Sequence, residues 1–251
     1  MQAGDRVGPY VLDREIAEGG MARVFEATSR ESGQRVALKL PSIPPAGLSE
    51  EVAEQFRHEV QAMMRLKHPR IVPILDWGSS ADGQLYLAMP LIDDRSLREL
   101  AGSLDDANLL SIFDQLLDAL AYAHDRGVVH RDIKPRNLLV ALDGAGRPQL
   151  YVTDFGIAAL EGGRLEAHGP AGTPMFMAPE QTSSSEVGPE ADLYAVGVLL
   201  YLLFEGARPF PGTTIEEVAE SRRKVPRPSF TARAVRPIPA GLSPIVERLL
   251  D

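Results

Sequence analysis

The sequence predicts an α+β fold in two lobes, a small strand-rich one followed by a larger, mainly helical one. Three observations carry this. Short mixed runs broken by glycine and proline fill the chain up to residue 92. After residue 93 apolar residues recur at helical spacing. The run Leu193 to Phe204 is apolar nearly all round, which marks a helix buried at the centre of the second lobe. With 251 residues, 44% hydrophobic and 24% charged, the chain can bury a sizeable core.

The elements follow in order. Tyr10 to Ile16 and Ala22 to Thr28 read as strands on either side of Glu18-Gly19-Gly20-Met21, and Arg35 to Leu40 as a third. The prolines of Pro41-Ser-Ile-Pro-Pro-Ala-Gly mark a loop. Ser49 starts a helix with Glu50 and Glu51 in its first turn, where carboxylates favour the positive helix end. Val52, Phe56, Val60 and Met63 follow at helical spacing, and Pro69 closes it. Ile71 to Trp77 and Gln84 to Ile92 read as two more strands. A linker near residues 91–96 then separates residues 1–92 from residues 93–251. In the second part Leu109, Ile112, Phe113, Leu116, Leu120 and Ala123 share one helical face. Thr214-Ile-Glu-Glu217 is a capping box opening another helix. Residues 226–244 hold five prolines and read mostly as loop.

Composition removes several classes of function. There is no cysteine, which excludes disulfides, zinc–thiolate sites and cysteine nucleophiles, and fits a reducing cytosol. A net charge of -9 offers no basic face for nucleic acid. The longest apolar stretch falls short of the ~18–20 residues a membrane span needs. The start, Met1-Gln-Ala-Gly-Asp-Arg, has no apolar signal-peptide core. The five histidines show no metal-ligand spacing.

Polar chemistry gathers in His130-Arg-Asp-Ile-Lys-Pro-Arg-Asn137. Asp132 is a carboxylate able to orient an attacking hydroxyl, and Lys134 a cation able to offset charge on a moving phosphoryl group. Asn137 supplies an amide oxygen for a metal ion. Seventeen residues on, Asp154-Phe-Gly156 adds a carboxylate suited to the hard Mg²⁺ ion. Upstream, Gly19-Gly20 lets backbone N–H groups approach phosphates. Lys39 follows on a strand, and Glu59 sits in a helix as its potential partner. Taken singly, Asp154-Phe-Gly is equally a turn, Gly19-Gly20 a hairpin, and Lys39 with Glu59 a surface ion pair worth ~0–1 kcal/mol. Chance does not place all of them in one chain in this order.

That order resembles the protein kinases: glycine-rich turn, Val36-Ala-Leu-Lys39, Glu59, His-Arg-Asp, Asp-Phe-Gly, Ala178-Pro-Glu180. The nearest likeness is to bacterial, eukaryotic-like serine/threonine protein kinases, through Gly19-Gly20-Met21-Ala22-Arg23-Val24-Phe25, Phe56-Arg-His-Glu59, His68-Pro69, Ile71-Val72 and Met177-Ala-Pro-Glu-Gln181. It runs from about Tyr10 to Leu250. The resemblance implies the two-lobed kinase fold, an ATP-binding lobe over residues 1–92 and a catalytic, substrate-binding lobe over residues 93–251. It implies ATP and Mg²⁺ as cofactors, Ser/Thr-bearing proteins as partners, and a cytoplasmic location.

Carried over by position, the resemblance makes Asp132 the catalytic base and Lys134 the stabiliser of the transferring group. Asn137 and Asp154 hold Mg²⁺. Lys39 contacts the α- and β-phosphates and pairs with Glu59. The turn Ile16, Ala17, Glu18, Gly19, Gly20, Met21, Ala22 covers the phosphates. Val24, Ala37 and Leu139 sandwich the adenine. Met89 is the gatekeeper, while the Pro90 carbonyl and Ile92 N–H meet the adenine edge. Thr173 contacts Asp132 and Lys134, and Asp192 anchors the catalytic loop. His130 is a packing residue, stacked with Phe155, Met63 and Ile74. Lys134 and Gly172-Thr-Pro174 point to the serine/threonine class.

The departures carry their own expectations. Ala17 and Ala22 stand where the family has glycines, and alanine at φ > 0 would weaken ATP binding. The family pairs Glu180 with a later arginine, and no candidate is visible, so the second lobe is expected to be truncated. A following segment could supply a membrane span. Arg131 usually accompanies activation-loop phosphorylation, yet Thr173 is the only hydroxyl residue from Asp154 to Glu180. Glu161 or Glu166 is the expected substitute partner for Arg131. Two alternatives are a nucleotide-binding pseudokinase or scaffold, and a small-molecule kinase. The second generally lacks the Gly172-Thr-Pro to Ala-Pro-Glu segment.

Overall fold

A computed structural model describes residues 1–18, 22–42, 50–92, 95–155, 174–182, 187–224 and 228–251. These fall into two compact units, one within Met1–Asp94, the other within Arg95–Phe155 and Gly172–Asp251.

Alternation builds the first unit. Strands β1 (Arg6–Val7), β2 (Tyr10–Glu18), β3 (Ala22–Ser29), β4 (Arg35–Pro41), β5 (Asp76–Ser79) and β6 (Leu85–Pro90) form one antiparallel sheet in the order β1-β2-β3-β4-β6-β5. Its register puts Phe25, Ala27, Val36, Leu38 and Ala88 on one face, buried with Leu12, Leu40 and Tyr86. The other face carries Val24 opposite Lys39, and Ala37 opposite Met89. Helix α1 (Glu50–Met64) buries Phe56, Val60 and Met63, and the Phe56 ring lies 5.9 Å from that of Trp77.

The strand predicted over Ile71 to Trp77 is mostly loop, with an isolated bridge at Ile71 and a continuous strand only from Asp76. Pro73 interrupts it, because it has no N–H to give a ladder. Helix α1 stops at Met64, well before Pro69, and Arg65 and Leu66 close it with N–H bonds to Ala62 and Met63. Its predicted cap, Ser49, lies outside the described residues.

In the second unit the last two residues of the strip predicted as a linker form β7 (Arg95–Ser96), and the short helix α2 (Leu97–Leu100) follows. Helix α3 (Asp106–His124) starts at Asp105, whose side chain accepts the Asn108 N–H at 2.7 Å. All six residues of its predicted face are buried. A hairpin of β8 (Leu138–Leu142) and β9 (Pro148–Val152) went unread in the sequence, although Asp143-Gly-Ala-Gly146 is a turn signal. Gln115 of α3 stitches to it, donating to the Pro148 carbonyl and accepting the Leu150 N–H. Helix α4 (Glu190–Glu205) is buried almost all round, as predicted, and Gly206 at φ 77° ends it in a left-handed turn. Helix α5 (Ile215–Lys224) opens with the predicted capping box between Thr214 and Glu217. Helix α6 (Leu242–Leu249) begins inside the stretch read as loop, and Gly197 of α4 is what lets it pack closely.

Candidate active site

The loop from His130 to Asn137 is built by hydrogen bonds that leave little freedom. Asp192, 1% exposed in the first turn of α4, accepts the N–H groups of His130 and Arg131, each at 2.8 Å. It also meets His124 Nε2 at 2.8 Å. A carboxylate can be buried ionised only with such a set of donors. Arg131 is thereby held at φ 67°, a conformation that costs a non-glycine residue about 1–2 kcal/mol.

His130 is wholly buried and spends both ring nitrogens on the backbone. Nδ1 accepts the Asp132 N–H at 3.2 Å, so Nε2 carries the proton and donates to the Thr153 carbonyl at 2.9 Å. It is a neutral scaffold residue, with its ring 4.6 Å from that of Phe155.

Asp132 emerges from this frame with one oxygen committed. Oδ2 accepts Lys134 Nζ at 2.6 Å and Asn137 Nδ2 at 3.0 Å. Asn137 Nδ2 also donates to the Asp132 carbonyl at 2.8 Å. Among the described residues Oδ1 has no partner, and the side chain keeps 30% of its exposure. Asn137, 4% exposed, turns its amide nitrogen toward Asp132 and so leaves its amide oxygen for another partner.

The β8–β9 hairpin explains why Asp154 belongs here. Leu138 pairs with Val152, and the Thr153 N–H donates to the Asn137 carbonyl at 3.0 Å. The hairpin thus brings its two ends, Asn137 and Asp154, together. Asp154 also adopts a left-handed conformation, at φ 65°. An amide oxygen beside a carboxylate is a donor set for a hard divalent cation.

In the first unit Lys39 is 7% exposed, on the same sheet face as Val24, Ala37 and Met89. Glu59 is half-buried on α1. Ile16, Ala17 and Glu18 form the exposed end of β2, with Ala17 opposite Val24 and Glu18 opposite Arg23. Neither Ala17 nor Ala22 has a positive φ, so the penalty predicted for alanine in this turn does not arise at either position. Pro90 closes β6, Ile92 lies just past it, and Leu139 is half-buried on β8. Gly19, Gly20, Met21 and Thr173 lie outside the described residues, as do Glu161, Glu166 and Gly156.

Three contributors were not read from the sequence. His124 joins Asp192 across 68 residues. Gln181, in the short turn Pro179–Thr182, donates to the Arg131 carbonyl at 2.8 Å. Arg222 of α5 donates to the Met177 carbonyl and lies 4.9 Å from the ring centre of Tyr194.

Residues 10–250 match the protein kinase domain family, and the chain belongs to it. It is similar to the serine/threonine-protein kinase pkn3 of Myxococcus xanthus, with 36% identity covering 96% of this chain and 45% of that protein. The likeness to the serine/threonine-protein kinase PknA of Mycobacterium tuberculosis is also 36%, covering 97% of this chain and 56% of that one. The crystal structure of the Mycobacterium tuberculosis PknI kinase domain superposes with a TM-score of 0.70 at 26% identity, over 100% of this chain and 91% of that one. The chain therefore spans about half the length of the curated relatives it matches. The fold is the two-lobed kinase fold, and the family works with ATP and a divalent metal ion on protein substrates. Among the described residues no helix is long and apolar enough to cross a membrane.

Proposed function

We propose that this chain transfers the γ-phosphoryl group of ATP to serine or threonine hydroxyls of protein substrates. The observation that carries this is the Asp132 carboxylate, locked through Oδ2 and without a partner at Oδ1 among the described residues. Oδ1 is placed to accept the hydrogen of an acceptor hydroxyl and to take its proton as the oxygen bonds to the γ-phosphorus and the bond to ADP breaks. Lys134 offsets charge on the moving group, and Thr173 takes the substrate-side role that the kinase resemblance implies for it. Asn137 and Asp154 would hold Mg²⁺, which neutralises phosphate charge.

Lys39 holds the α- and β-phosphates, steadied by Glu59. The turn from Ile16 to Ala22 covers the phosphates, while Val24, Ala37 and Leu139 enclose the adenine. Met89 is the gatekeeper, and the Pro90 carbonyl and Ile92 N–H meet the adenine edge. We take residues 1–92 as the ATP-binding lobe and 93–251 as the catalytic and substrate-binding lobe. The reaction belongs in the cytoplasm, where ATP is held, and the lack of cysteine agrees with that. The intact hydrogen-bonded trio Asp132, Lys134 and Asn137 favours an enzyme over a nucleotide-binding scaffold.

The test is incubation with γ-labelled ATP, Mg²⁺ and a generic protein acceptor, followed by phosphoamino-acid analysis. Labelled phosphoserine and phosphothreonine are expected. Label found only as free phosphate, or only on tyrosine, would contradict the proposal.

A further inference from the structure

The peptide that joins Arg131 to Asp132 is held on both sides. Its N–H, that of Asp132, donates to His130 Nδ1 at 3.2 Å. Its carbonyl, that of Arg131, accepts Gln181 Nε2 at 2.8 Å. The preceding N–H, of Arg131, is bound by Asp192. This peptide follows a left-handed residue, and such strain persists only where the surroundings over-determine it. A tilt of this peptide that is not compensated at φ of Asp132 would re-aim the Asp132 side chain relative to Lys134 and Asn137.

Gln181 is the one member of this frame that comes from the 174–182 segment. Its other amide end accepts the Ala178 N–H at 2.9 Å, within that segment. A single planar amide thus spans from the turn Pro179–Thr182 to the backbone beside Asp132.

We propose that Gln181 is a positioning residue for catalysis. It fixes the Arg131–Asp132 peptide and so makes the aim of Asp132 Oδ1 depend on the seating of the 174–182 segment. This rests on the kinase reading above. The donor half of the amide does this, and the acceptor half only caps Ala178. The two halves are separable. Gln181→Glu keeps an oxygen for Ala178 and loses the N–H to Arg131. Gln181→Met, of similar length, loses both.

The experiment compares wild type, both Gln181 variants and Asp132→Asn, with ATP affinity, kcat and melting temperature measured on each. Deuterium uptake is followed over residues 128–138. Both Gln181 variants should show kcat lowered about tenfold, as misaimed groups do, with ATP affinity unchanged. Deuterium uptake should rise in the 128–138 segment of both. Three results would overturn the proposal: Gln181→Glu keeping wild-type kcat while Gln181→Met loses it, both keeping it, or kcat falling only in proportion to lost folded protein. If wild type transfers label and Asp132→Asn does not, the kinase reading stands however the Gln181 variants behave. If wild type transfers none, the proposal falls with that reading.

Discussion

Asp192 and Tyr194 lie two residues apart in α4, and they show opposite ways of burying a polar group. Asp192 has donors for both oxygens and holds the loop that carries Asp132. Tyr194 is 6% exposed, and its hydroxyl has no hydrogen-bond partner among the described residues. Burial pushes that hydroxyl up to about 12, despite the opposing pull of Arg222. The fold therefore favours the neutral phenol. Its contribution is complete below the ordinary tyrosine range and is lost as pH rises toward the folded value. We expect alkaline destabilisation of about 2–3 kcal/mol across that window, absent in Tyr194→Phe. Urea titrations of both proteins between pH 9 and ~12 check this, and equal slopes would refute it. At this scale the sequence was most legible where partners are near in the chain. Asp132, Lys134 and Asn137 meet within one loop. Gln181 was invisible because its contact with Arg131 crosses 50 residues.

Elements were legible where the apolar period was clean. Helices α3 and α4 and strands β2 to β4 came out nearly as read, because one face or the whole surface is apolar. The β8–β9 hairpin did not, since its apolar run sits among helical patterns and periodicity over five residues does not separate strand from buried helix. Nor did the start of α6, which has Pro237 and Pro239 just before it and Pro244 in its first turn. What seats α6 is the bare backbone of Gly197, where an added Cβ would lie 2.7 Å from Leu249 Cβ and 3.2 Å from the Leu250 side chain. Gly197→Ala gains helix propensity but forces these helices apart. We expect it to destabilise the protein by about 1–3 kcal/mol, measured as a lower urea midpoint at unchanged m. A midpoint equal to or above that of wild type would show that α6 yields at no cost.

Across the whole molecule the order of motifs carried the family, and contacts between distant segments carried most of what the sequence withheld. Regulation is also read at this scale. Arg131 precedes the proposed base, but the stretch from Asp154 to Glu180 offers only Thr173 for phosphorylation. Modifying a threonine with the substrate-side role proposed above would block the site. We expect phosphatase treatment to leave activity unchanged, with peptide mapping finding no phosphate on residues 154–180. A phosphate there whose removal abolishes activity would refute this.

The central claim is that Asp132 serves the acceptor hydroxyl and not the nucleotide. The most direct measurement is Asp132→Asn against wild type, with phosphotransfer and ATP affinity determined on the same preparations. Loss of a positioned base should lower kcat by about 10²–10⁴-fold while ATP affinity stays within a few-fold. Equal phosphotransfer by the two proteins, free of contaminating kinase, would contradict the account.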